Sequence, residues 1–160
     1  MTKEIIKSNL ITRYTKGAYT DNYIFGFIRK GLVYACVVNN ADAILDAITF
    51  VEKRTESGWG IRFRPTKAQQ EIILANAKEI KVLYSVDFME TEKANHKGNR
   101  GVMFEDVCTS VWNGEQTKAN LDFTKGGDII INGVHYQAKF GCSKGAATFT
   151  NEKTLVNLGL

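Results

Sequence analysis

Apolar positions follow two periods along this chain, and turn-forming pairs punctuate them. Tyr23 to Arg29 and Leu32 to Val38 are strand-length, apolar-rich runs separated by Lys30-Gly31, which predicts a hairpin. Asn40 can cap a helix that carries Ala41, Ile44, Leu45, Ile48 and Val51 on one face. Trp59 to Arg64 alternates, with Trp59, Ile61 and Phe63 on one side and Arg62 and Arg64 on the other. Thr66 and Gln69 form a capping-box pattern ahead of a helix containing Ile72, Ile73, Ala75 and Ala77. Ile80 to Phe88 alternates again and predicts a strand.

Residues 91–100 are polar and predict a loop and an internal boundary. A helix from about Val102 to Trp112 follows, with Phe104, Val107, Cys108 and Val111 facing inward. Leu121 and Phe123 suggest a short strand, which Gly126-Gly127 ends. Asp128 to Ile131, an Asn132-Gly133 turn and Val134 to Phe140 form a second hairpin. A Gly/Ser/Ala loop over 141–147 leads to a short helix at about Asn151 to Leu158. Strands and helices are mixed throughout, so the expected class is α/β or α+β in a single domain.

The composition supports a folded, soluble chain. It has 160 residues, 44% hydrophobic and 24% charged, and no apolar run long enough to cross a membrane. The opening Met-Thr-Lys-Glu leads to no secretory signal pattern. Cys36, Cys108 and Cys142 are odd in number and widely spaced, so they are expected to be buried thiols in a reducing cytoplasm. The net charge of +4 is compatible with a polyanionic partner without requiring one. No phosphate-binding Gly loop, dinucleotide-binding motif or nucleophile elbow is present, which argues against P-loop ATPases, Rossmann oxidoreductases and α/β-hydrolases.

The second hairpin carries the chemistry. Asn-Gly fixes its register, because both turn residues take positive φ. Ile131 then faces Val134, Ile130 faces His135, Ile129 faces Tyr136 and Asp128 faces Gln137. One face is apolar throughout. The other holds Asp128, Ile130, His135, Gln137 and Lys139, which places a carboxylate, an amide and an ammonium side by side. Such a set suits metal-assisted phosphodiester hydrolysis. Asp128 can ligate Mg²⁺, a hard cation that prefers oxygen, with the Gln137 carbonyl oxygen and the Ala138 backbone carbonyl completing the protein's share. Lys139 can orient the attacking water or balance developing charge. Glu105 sits about 60° from Cys108 on the preceding helix and can supply a second carboxylate across the sheet's edge.

A Glu-bearing helix, Gly127-Asp128 opening a strand, and Gln137-Ala138-Lys139 on the next strand resemble the PD-(D/E)XK nuclease superfamily. The closest pattern is its branch with Gln in the second acidic position. The resemblance covers roughly residues 99–158. It implies a restriction-endonuclease-like core: a central mixed sheet flanked by helices, with the hairpin and helix elements of residues 1–92 serving recognition or oligomerisation. It also implies a DNA endonuclease using Mg²⁺ or Mn²⁺, with Glu105 and Asp128 on the metal, Gln137 as an adjunct ligand and Lys139 assisting the nucleophile. Cutting a duplex needs two sites, hence a homodimer or higher oligomer. Gly127 stands where the family usually has Pro. The family's fourth core strand must come from the N-terminal region, and Ile80 to Phe88 is the expected donor.

Lys97, Arg100, Lys118, Lys125 and Lys144 flank this site in sequence, and Arg62 and Arg64 lie further off. All are candidates for phosphate contacts. The competing readings are plain. Asp128, Gln137 and Lys139 also suit the solvated face of an ordinary hairpin. Glu105 suits a helix surface, and His96 a solvated loop near Glu90 and Glu92. The alternative function is a non-catalytic module that binds nucleic acid or protein, for example an inhibitor in a phage–host conflict, working through Tyr23 to Val38.

Overall fold

The computed structural model describes residues 21–48, 50–54, 58–116, 128–142 and 147–151. In chain order the elements are β1 (Tyr23–Arg29), β2 (Leu32–Val38), α1 (Asp42–Ile48), β3 (Phe50–Arg54), β4 (Gly58–Phe63), α2 (Lys67–Asn76), β5 (Glu79–Ser85), α3 (Val86–Glu92), a 3₁₀ turn (Lys93–His96), α4 (Arg100–Val111), β6 (Glu115–Gln116), β7 (Ile129–Ile131), β8 (Val134–Gly141) and β9 (Ala147–Asn151). The architecture is mixed α and β. A six-stranded mixed sheet has the order β5-β2-β1-β8-β7-β6, and β3-β4-β9 form a second sheet of three.

Strand β1 lies at the centre, and its sequence explains why. Tyr23 to Phe27 are all buried, the signature of a strand covered on both faces. Tyr23, Phe25 and Phe27 pack with Cys36, Val38, Leu45, Ile48, Phe63 and Ile73, on the side of α1 and α2. Ile24 faces the opposite way with Val33, Ala35, Met89, Met103, Phe104, Cys108, Ile129, Tyr136 and Phe140, on the side of α3 and α4. Each fully buried large side chain is worth about 1.5–3 kcal/mol of transfer free energy. Gly26 is required by close approach, since a Cβ there would lie 2.3 Å from the Phe104 ring. The β1–β2 turn has Lys30 at φ 53° and Gly31 at φ 76°, matching the right-handed strand twist.

The hairpin at 23–38, the strand through Phe63 and the Thr66/Gln69 capping box stand where the pattern predicts them. Val51 departs, lying in β3 rather than on α1. The strand expected from Ile80 to Phe88 stops at Ser85, whose Oγ accepts the Phe88 amide and starts α3. Its face pattern also breaks. A bulge against Val33 and Tyr34 leaves Leu83 unpaired, so Tyr84 turns to the α3–α4 side while Ile80 and Val82 stay exposed on the other.

The predicted loop at 91–100 is instead mostly helical. Glu90 binds Lys93 and both nitrogens of a fork from Arg100, and the chain reverses at Lys97 (φ 60°) and Gly98 (φ 67°). Helix α4 begins at Arg100, capped by Asn99. Its inner face is Met103, Phe104 and Cys108, whereas Val111 is exposed. Leu121 and Phe123 lie outside the described residues. The terminal helix expected from Asn151 likewise falls outside them, except that Asn151 itself ends β9.

The strand beside β8 is β1, running parallel to it from Tyr23↔Gln137 to Phe27↔Gly141. Strand β5, the expected neighbour of the hairpin, sits at the opposite edge of the sheet. Hydrophobicity decides this, because β1 is buried on both faces and β5 only in part.

Candidate active site

The second hairpin has the predicted register at Ile131↔Val134, Ile130↔His135 and Ile129↔Tyr136, around Asn132 (φ 51°) and Gly133 (φ 78°). It departs from that register at Asp128, whose backbone N–H donates to the Tyr136 carbonyl rather than pairing with Gln137. Strand β7 therefore leaves β8 after three pairs. Among the described residues, Gln137 to Gly141 are partnered by β1 alone. The other side of β8 opens into a crevice.

Asp128 stands at the fork. Its Oδ2 accepts the Ala138 backbone N–H at 3.0 Å and the Gln137 side-chain N–H at 3.0 Å. The Gln137 N–H points the other way, to the Asn22 carbonyl of the chain entering β1. In a strand, one residue's N–H and C=O point to the same side, so the Ala138 carbonyl also faces the crevice.

Gln137 is 7% exposed, and with its N–H₂ on Asp128 its buried Oε1 has no hydrogen-bond partner among the described residues. A buried, unpaired carbonyl oxygen costs about 1–3 kcal/mol, so it calls for an explanation.

A cleft of about 540 Å³ occupies this crevice. Glu105, Asp128, Gln137, Ala138 and Lys139 all line it, and the first residues of α4 form the facing wall. Helix α4 packs its Phe104–Cys108 face on the sheet, which carries the half-buried Glu105 flank to the open edge of β8. The Glu105 charge registers locally: burial, and then this carboxylate, push the Cys108 thiol well up from its ordinary value. The five positions singled out in the sequence thus converge on one cleft.

The outlying cations fare differently. Arg100 lines the cleft, but its guanidinium is held by Glu90. Lys97 is exposed at the turn before α4. Arg64 lies just beyond β4 and lines a second cleft of about 390 Å³ that meets the first at Cys142. Arg62 pairs with Phe50 in β3. Lys118, Lys125 and Lys144 lie outside the described residues.

His96 is not a solvated loop residue. Its Nδ1 meets Asp106 Oδ2 at 2.6 Å, and Gln116 donates to Asp106 Oδ1. The three cysteines are buried and free.

The donor set fits a hard divalent cation: two carboxylates, the orphaned Gln137 Oε1 and the Ala138 carbonyl, all oxygen. Among the described residues, no three His, Cys, Asp or Glu side chains gather into a metal cluster, so the amide and backbone oxygens are needed to complete a site. Comparison with family models, with curated proteins and with solved structures finds no match to this chain.

Proposed function

We propose that the chain is a divalent-metal-dependent endonuclease of the PD-(D/E)XK type, hydrolysing DNA phosphodiester bonds at the β7–β8 crevice. The observation that carries this reading is the orphaned Gln137 Oε1 beside Asp128, in a cleft also lined by Glu105 and Lys139. Strand β1, parallel to β8, takes the place of the fourth core strand.

In this reading Glu105, Asp128, Gln137 and the Ala138 carbonyl would hold one Mg²⁺ or Mn²⁺. Such a site would supply Lewis acidity toward a phosphoryl oxygen and a water molecule. Lys139 orients that water or offsets the charge that develops on the phosphate. The Ala138 amide and Gln137 fix the Asp128 rotamer, so the carboxylate does not reorganise on binding. Arg64, on the adjoining cleft, contacts the phosphate backbone away from the reacting bond. No described helix is long and apolar enough to cross a membrane, and the proposed substrate needs none.

The test is incubation with supercoiled plasmid, branched DNA, single-stranded DNA and RNA, each with Mg²⁺, Mn²⁺ or EDTA. Metal-dependent cleavage that disappears in Lys139→Ala supports the reading, and the preferred substrate names the subclass. Absence of cleavage on every substrate, with wild type and mutant alike in metal binding, favours the non-catalytic binding module.

A further inference from the structure

Strand β5 ends the six-stranded sheet, and among the described residues no strand pairs with its outward side. Ile80 is 44% and Val82 51% exposed, a high value for two consecutive same-face apolar residues on a strand. On the opposite face Glu79 and Lys81 alternate with them, and both charged side chains are also substantially exposed. An open edge bearing apolar residues is a template for pairing with another strand.

We propose that a second copy of this chain covers this edge, by antiparallel β5–β5 pairing about a two-fold axis at Ile80. The argument rests on register. A two-fold axis between two identical antiparallel strands stands perpendicular to the sheet, so each residue faces its equal across a fixed centre. Centring on Glu79 would oppose two carboxylates, and centring on Lys81 would oppose two ammonium groups. Centring on Ile80 places Ile80 against Ile80, and Glu79 against Lys81 twice. Directly opposed Cβ atoms are about 4.5–5.5 Å apart, so both ion pairs form across the seam.

Lys81 and Glu79 share one face of the strand. The Lys81 ammonium lies 5.4 Å from the centre of the Trp112 ring and 3.6 Å from Glu79 of its own strand. A centre at Val82 has no charge complementarity, and it places the bulged Leu83 within the seam. The flat stretch available is therefore short, ending at Val82. Pairing joins the two six-stranded sheets edge to edge, at the end of each sheet remote from the β7–β8 crevice. The inference stands independently of the chemistry proposed for that crevice.

Sedimentation equilibrium on the full chain at concentrations up to about 100 µM tests it. The wild type is expected to be a dimer. Glu79→Lys and Lys81→Glu, each alone, create like-charge pairs and should weaken dimerisation at least tenfold. The double exchange Glu79→Lys/Lys81→Glu restores opposite charges and should recover most of that loss. Glu79 is exposed and Lys81 half-buried, and circular dichroism melts verify that each variant folds. A wild-type monomer throughout the range overturns the proposal. So does a dimer indifferent to the single reversals, or a double exchange no tighter than the singles.

Discussion

The two hairpins of the main sheet share a turn and differ in everything after it. Lys30-Gly31 and Asn132-Gly133 both place two residues at positive φ between antiparallel strands. From there β1 and β2 stay together for seven pairs, from Arg29↔Leu32 to Tyr23↔Val38, and five consecutive β1 residues are buried. The second hairpin holds for three pairs and then divides at Asp128. The first hairpin spends its hydrogen bonds on a closed core. The second, among the described residues, leaves one side of β8 without a strand partner and lines it with a carboxylate, an amide and an ammonium. The same local turn chemistry therefore builds a scaffold in one place and a crevice in the other, and the contrast lies in the strand residues beyond each turn. Phe25 and Phe27 in the one fill the core, whereas Gln137 and Lys139 in the other bring polar groups to the cleft.

The comparison breaks most visibly in activity. Lys139→Ala and Asp128→Asn should each lower metal-dependent cleavage by at least about a hundredfold, with melting temperatures near that of the wild type. If both variants lose activity only because they unfold, the crevice is a structural feature like its counterpart. On the scaffold side, Gly26→Ala sets a methyl group into the Phe104 ring and should destabilise by about 1–3 kcal/mol in urea unfolding. A cost near zero would show that β1 and α4 are not packed as described.

Alkaline pH separates the hairpins next. Burial raises the Cys36 thiol, on β2, from 9.0 to about 12, and Cys108 is also raised. A folded-state value above the unfolded one stabilises fully below about pH 9. That contribution is lost as pH climbs toward 12, by up to about 1.4 kcal/mol per unit for each thiol. Cys36→Val should flatten the decline measured by denaturant melts between pH 9 and 10.5. An unchanged slope would place the thiol in contact with water.

The smallest effect concerns the turns. Lys30→Asn gives the first turn the Asn-Gly pair of the second and should stabilise by a few tenths of a kcal/mol, while Asn132→Ala should cost about 1 kcal/mol. Equal and opposite shifts in chemical denaturation midpoints would be evidence against two turns of one type.

These contrasts also show how far the chain can be read before it folds. Both turns, the Thr66/Gln69 box and the grouping of Asp128, Gln137 and Lys139 are local or single-hairpin properties, and periodicity reports them well, while Glu105 joins them from α4 through the packing of that helix on the sheet. The early end of β7 was not legible, because one backbone hydrogen bond from Asp128 to Tyr136 decides it. Nor was the parallel pairing of β1 with β8, which joins residues more than a hundred positions apart. The alternation from Ile80 to Phe88 misled for a physical reason. A bulge at Leu83 and a cap at Ser85 interrupt a pattern that remains continuous in the letters. Residues 91–100 read as a loop because their helical turns are held by polar contacts, Glu90 with Arg100 and His96 with Asp106, rather than by an apolar stripe.

The central claim is that the crevice holds a divalent cation through Asp128 and the buried Gln137 oxygen. Calorimetric titration with Mn²⁺ measures this directly. The account predicts one ion per chain in the wild type, at least tenfold weaker binding in Gln137→Met, and none detectable in Asp128→Asn. Wild-type protein that takes up no Mn²⁺, or Mn²⁺ affinity unchanged in Asp128→Asn, would contradict it.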